Sequence, residues 1–159
     1  MARENIGAEK ASGTYELIET ITLTEDTANI VRTQEPDGTP YSFERLKLMV
    51  HTTAATASST LSVSAFCGET NITSLGMSGL LNTSDRYSML EFYDDNNIWS
   101  AGATSAAGGL WANGWNVLPT FDPKLRQVYT EINKIKFETG TASVLIPAGT
   151  VISIYGVRA

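Results

Sequence analysis

The chain has a single cysteine and a single histidine, and each scarcity closes off chemistry. A lone Cys67 cannot build an internal disulfide framework. It alternates with Leu61, Val63 and Ala65, which predicts a buried, inert thiol. A zinc site draws three or four ligands from Cys, His and carboxylates, and His51 with Cys67 falls short of that set. A hydrolase triad would have to turn on His51, and no G-x-S-x-G motif accompanies it. His51 reads instead as an outward residue of a strand.

Charge is also sparse. Charged residues make up 18% of the chain, against the roughly 25% of an ordinary soluble domain. A surface so poor in charge is expected to be covered in part by a partner. The net charge is −6, which disfavours non-specific binding to nucleic acid. No apolar run approaches the roughly 18–20 residues of a membrane span, so no membrane partner is expected. The polar start Met-Ala-Arg-Glu-Asn has no hydrophobic signal region, and the chain is expected to be made in a cytosol and to stay soluble.

What is present reads as strands and turns. The pattern is clearest from Ile132 onward. Ile135 and Phe137 alternate with Lys134, Lys136 and Glu138, the period-2 signature of a half-buried strand. Val144 to Ile146 is a short apolar run, and Pro147-Ala148-Gly149 is turn chemistry, with Gly tolerating positive φ. Val151 to Tyr155 follows, with Ile152 and Ile154 on one face and Ser153 and Tyr155 on the other. A closing strand this apolar is expected to complete a sandwich.

Earlier strands are read at Tyr15–Leu23, at Ala28–Arg32, at Phe43–His51 with Leu46, Leu48 and Val50 on one face, at Leu61–Cys67 and at Arg86–Tyr93. Glu35-Pro36-Asp37-Gly38-Thr39-Pro40 is the strongest turn signal. Thr52 to Thr60 holds only Thr, Ala and Ser and reads as an exposed loop. Gly68 to Ser84 is less regular, with a turn or short helix expected near Ser74 to Leu81.

About eight short strands without an amphipathic helix predict an all-β fold: a single-domain, jelly-roll-like antiparallel β-sandwich over 14–159. An immunoglobulin-like sandwich is the alternative, without its Cys…Trp…Cys spacing. Residues 1–13 are polar and read as a flexible N-terminal arm.

Asp94-Asp95-Asn96-Asn97 offers oxygen ligands, but Trp99 stands where an EF-hand loop needs Gly and Ser105 where it needs Glu. It reads as a polar turn, and no metal or cofactor is expected. Glycoside hydrolysis needs two opposed carboxylates, and nothing sets a second one across a cleft from Glu91, Asp94 or Asp95. No catalytic residue is assigned.

The stretch from Asn96 to Phe121 has no charged residue and holds Trp99, Trp111 and Trp115. With Tyr93, these are the candidate site residues. Tryptophans of this kind fill a core or a subunit interface, or stack on sugar rings beside amide groups such as Asn96, Asn97 and Asn113. The small-residue tract Ala101 to Gly109 reads as a loop that orders on contact, so a homo-oligomer built on this stretch is expected.

The ending F-E-T-G-T-A-S-V-L-I-P-A-G-T-V-I-S-I-Y-G-V-R resembles the last strands of small jelly-roll proteins of tailed-phage structural gene clusters. The matching positions are Phe137, the turn Ile146-Pro147-Ala148-Gly149-Thr150, and Ile152-Ser153-Ile154-Tyr155-Gly156. The resemblance covers about the last 25 residues. It implies a non-enzymatic bacteriophage structural protein, a capsid decoration or a tail or baseplate component, located in the virion after synthesis in the host cytoplasm. Its partners would be other virion proteins, with a cell-surface glycan as the target of a receptor-binding alternative.

Overall fold

The computed structural model describes residues 14–95, 98–106, 114–117 and 131–159. The expected arm, residues 1–13, and Trp111 lie outside them. The described residues form ten strands and no helix. In chain order these are β1 (Glu16–Thr22), β2 (Asn29–Arg32), β3 (Phe43–Thr52), β4 (Ser59–Cys67) and β5 (Thr70–Leu81), then β6 (Arg86–Asp95), β7 (Ile98–Ala106), β8 (Gly114–Val117), β9 (Lys134–Thr139) and β10 (Val151–Arg158).

Two antiparallel sheets stack as a sandwich. One has six strands in the order β1-β10-β3-β6-β7-β8, and the other four in the order β2-β9-β4-β5. The pairs β1·β10, β2·β9, β3·β6 and β4·β5 are each antiparallel, and together they are the winding of a jelly roll. The immunoglobulin-like alternative has a different strand order. β7 and β8 extend the six-stranded sheet past β6 and come back against β5.

Period-2 alternation explains most of the elements. β10 lies between β1 and β3, and its Ile152 and Ile154 are fully buried. Leu46, Leu48 and Val50 of β3 and Leu61, Val63 and Ala65 of β4 meet them in one core with Ile135 and Phe137 of β9. The turn before β10 closes with the Thr150 amide donating to the Pro147 carbonyl at 3.2 Å, and Gly149 takes the positive φ of 88° that this turn requires. Asp26 accepts from the Ala148 amide at 2.8 Å, and Thr53 donates to the Ala148 carbonyl at 2.7 Å, pinning the turn to two neighbouring connections. Gly156 is required by contact rather than dihedral: a Cβ there would stand 2.6 Å from the Phe43 ring.

Four expectations need correction. Gly68 to Ser84 is mostly the twelve-residue strand β5, not a turn or short helix. Its register against β4 shifts between Ser59 and Leu61 and again between Ala65 and Phe66, so its apolar residues lose strict alternation. The loop expected at Thr52–Thr60 is shorter. Thr52 closes β3, buried and donating to the Leu80 carbonyl at 3.0 Å, and Ser59 already opens β4. Ala101 to Ala106 is strand β7 rather than a loop, because its backbone pairs with β6 on one side and β8 on the other. Cys67 is half-buried, packing against the core from beyond the second register shift.

Candidate functional site: the outer face of the six-stranded sheet

Residues paired across antiparallel strands share a face, so the registers define rows running the width of the sheet. One row is Leu17–Tyr155–Lys47–Glu91–Gly102–Trp115. The next is Thr20–Ser153–Met49–Met89–Thr104, and beyond it lies Thr22–Val151–His51–Tyr87–Ala106. These rows alternate with the inward ones that carry Ile152, Ile154, Leu48, Val50 and Leu90.

The outward rows expose large apolar and aromatic side chains. Leu17 is 56% exposed, Tyr87 55%, Met49 49% and Met89 44%. Leu17 is on the outside because a bulge between Leu17 and Glu19 turns Ile18 and Glu19 inward together. Sequence reasoning missed this strip. Its only signal was Met49 and Met89 standing at polar-parity positions beside Leu48, Val50 and Leu90.

A compact polar cluster sits in the strip. Lys47 stands 4.0 Å from Glu91, and its ammonium lies 4.8 Å above the Tyr15 ring. Tyr15 donates to Glu91 at 2.9 Å, so the chain entering β1 lays a side chain across this face. Burial of the Tyr15 phenol, helped by the Glu91 carboxylate, pushes its pKa well above the usual tyrosine value. At one rim His51 stacks on Tyr87, ring centroids 4.3 Å apart, and lies 3.2 Å from Asp85. His51 is thus an outward strand residue, half-exposed, as expected.

Of the candidate site residues, Tyr93 falls on β6, Trp99 on β7 and Trp115 on β8. Tyr93 pairs with Ser100, Trp99 with Asp94 and Trp115 with Gly102, so the three gather at the β6–β7–β8 end of one sheet. Tyr93 and Trp115 share the register parity of the outward rows, while Trp99 has the opposite parity. Asp94 and Asp95 belong to β6, paired with Trp99 and Ile98, and Asn96 and Asn97, the rest of the expected polar turn, lie outside the described residues.

The strongest ion pairs lie elsewhere and hold the fold. Arg32 forks onto the buried Glu19 at 2.8 and 2.7 Å, and Tyr41 donates to the same carboxylate. Arg158 forks onto buried Glu35 at 2.6 and 2.9 Å and also reaches Glu16 at 2.6 Å. At the opposite end of the sandwich a recess of about 200 Å³ is lined by Asp26, Ala55, Ser143 and Leu145 among others. Its one carboxylate already accepts from the Ala148 amide. Among the described residues no group of three or more His, Cys, Asp or Glu is placed to hold a metal ion.

The chain matches no known family model, and a search of curated proteins finds none similar to it.

Proposed function

We propose that this protein is a non-enzymatic structural component of a phage virion, a capsid decoration or a tail or baseplate part, that works by self-association and attachment to other virion proteins. The observation that carries the reading is the set of exposed Leu17, Met49, Tyr87 and Met89 on the outer face of one sheet of a jelly roll, with Met49 and Met89 paired across β3 and β6. Isolated apolar side chains on a surface are ordinary, but a contiguous strip marks an interaction face. The low charge content and the C-terminal motif point the same way. Mass spectrometry of gradient-purified phage particles from cells carrying the gene tests it. The protein should be present in many copies per particle, and its consistent absence from intact particles overturns the reading.

The placement of Tyr93 and Trp115 at outward register positions near one end of the sheet, without Trp99, favours a second reading, a glycan-binding module. A glycan array with Trp115→Ala as control separates the two.

A further inference from the structure

We propose that β1 carries a one-residue register switch at its bulge, which either lays Tyr15 across the outer face of the six-stranded sheet or withdraws it. The proposal rests on the reading of that face as an interaction face and says what controls access to it.

The bulge is the first observation. Leu17 pairs with Tyr155 and Glu19 with Ile154, so Ile18 is the extra residue, with no partner of its own in β10. Ile18 and Glu19 both turn to the core, and Leu17 is left 56% exposed. The sequence does not require this. Leu17, Glu19, Ile21 and Leu23 alternate with Ile18, Thr20 and Thr22, and continuous pairing would put the first set on the core side throughout. Carrying the register of Thr20 to Thr22 on without the bulge sets Ile18 opposite Tyr155 and Leu17 opposite Gly156. The two arrangements exchange one apolar side chain for its isomer on the inner side. Burying leucine or isoleucine stabilises by about the same amount, so the core does not choose between them. Gly156 has no side chain to fix which of the two closes over it beside the Phe43 ring.

Tyr15 is the second observation, and it makes the choice. Two residues before Leu17, it shares the parity of Leu17. With the bulge it points outward, donates to Glu91 at 2.9 Å and lies under the Lys47 ammonium, 4.8 Å from the ring centroid. Glu91 is on β6, the third strand in from β1, so these contacts anchor the strand end well inside the sheet. Without the bulge Tyr15 takes the inner parity and leaves Lys47 and Glu91 bare. A hydrogen bond to a charged group and a cation–π contact thus stand against one unpaired backbone residue, terms of the same order. A partner that takes Lys47 or Glu91 for itself removes the anchor and shifts β1 toward continuous pairing.

Isotope-edited NMR on the full chain reads the register directly. The Leu17 backbone contacts Tyr155 in one register and Gly156 in the other, and the Tyr15 ring meets the Lys47 side chain only in the first. Wild-type protein should show the first set. Tyr15 is outside the core, so Tyr15→Ala should leave the fold intact and move the ratio of the two registers at least tenfold toward the second. Adding Leu17→Thr, which would place a polar side chain on the inner side, should move it back. A Tyr15→Ala chain that keeps Leu17 opposite Tyr155 overturns the proposal, and so does a double variant whose register matches that of Tyr15→Ala. Ile18→Thr penalises the bulged register and should take the Tyr15 ring off Lys47; a folded Ile18→Thr chain with the ring still in place also overturns it. If that variant does not fold, the Tyr15→Ala pair decides alone. The virion test is separate: a chain that switches register but is absent from particles keeps the switch and loses the virion role, whereas a fixed bulge in a chain found in particles does the reverse.

Discussion

The two outward faces of the sandwich are built from strands of the same kind and differ in what they present. On the four-stranded sheet the rows are Val31–Lys136–Ser64–Ser74 and Asn29–Glu138–Ser62–Gly76. Lys136 and Glu138 pair there at 2.8 Å, and Val31 is the single large apolar residue exposed on those rows. On the six-stranded sheet the equivalent positions carry Leu17, Met49, Met89 and Tyr87. An antiparallel sheet with one face on the core needs only a solvated outer face, and the serine-rich rows supply it. Apolar side chains on the other outer face do nothing for the monomer's core. The difference teaches that the same strand chemistry can finish one outer face in polar residues and leave the other with exposed apolar ones.

The two faces should be energetically alike on the inside, and the largest effects lie there. Phe137→Ala, under the four-stranded sheet, should cost about 3–5 kcal/mol, and Ile154→Ala, under the six-stranded one, about 2–5 kcal/mol. Both side chains are fully buried. Urea melts followed by tryptophan fluorescence check this. A loss below about 1 kcal/mol for either would mean that its sheet does not share the core.

The edges of the two sheets are joined by charge, and the next effect is read there. Arg32 on β2 holds Glu19 on β1, so the fork crosses from one sheet to the other. Arg32→Met leaves a buried carboxylate with the Tyr41 hydroxyl as its remaining partner in the fork. Breaking such a pair costs about 3–5 kcal/mol when both ions are buried. Arg32 still reaches solvent, so about 2–3 kcal/mol is expected here. Adding Glu19→Gln should recover part of the loss. No recovery would show that packing, not charge, joins the edges.

Much of this architecture was legible in the sequence, and the failures are instructive. β3, β9 and β10 were readable because β9 keeps one parity throughout, and β3 and β10 keep one from Leu46 to Thr52 and from Val151 to Gly156, breaking it only at the bulge where Phe43 meets Arg158. β5 was not. Ile72, Leu75, Met77, Leu80 and Leu81 are its buried apolar residues, a spacing of three, two, three and one that imitates a helix. Register shifts and a positive φ of 70° at Gly79 produce that spacing within a strand. β7 was misread because its residues are small, yet pairing through the backbone on both sides needs no bulk. The exposed strip was hidden for a related reason: parity says that Met49 and Met89 are outward, and only the three-dimensional rows bring them together. Gly156 gave no dihedral signal. Gly156→Ala should cost about 1–3 kcal/mol by pressing into the Phe43 ring, and a neutral result in a thermal melt would mean that the ring moves freely.

Alkaline pH probes the same joined edge more gently. Burial and the Glu19 carboxylate raise the Tyr41 phenol above its ordinary value of 10.0. The folded chain therefore keeps a proton that the unfolded chain gives up. Tyr41's contribution is fully present below about pH 10 and drains as the pH rises beyond it. Tyr15, raised on the outer face of the other sheet, behaves with the same sign. Stability measured against pH above 10 should fall less steeply in Tyr41→Phe than in wild type, whatever its baseline. An unchanged slope would mean that Tyr41 titrates alike in both states.

The smallest expected effect separates the two faces most directly, because the same substitution can be made on both. Lys136 and Lys47 each stand beside a carboxylate on an outer face, with side chains about equally exposed. An exposed pair such as Lys136–Glu138 contributes about 0–1 kcal/mol, since water screens both partners. Lys136→Ala should therefore change the melting curve by less than about 0.5 kcal/mol and leave the sedimentation profile as it was. Lys47 differs in its surroundings rather than its charge. Its stem crosses the exposed strip, and its ammonium rests over the Tyr15 ring. Lys47→Ala should cost the monomer a similarly small amount and weaken self-association measurably. Monomer stability cannot distinguish the two lysines, but association can. If the two variants sediment alike at every concentration, the faces are equivalent in water and the contrast between them has no consequence.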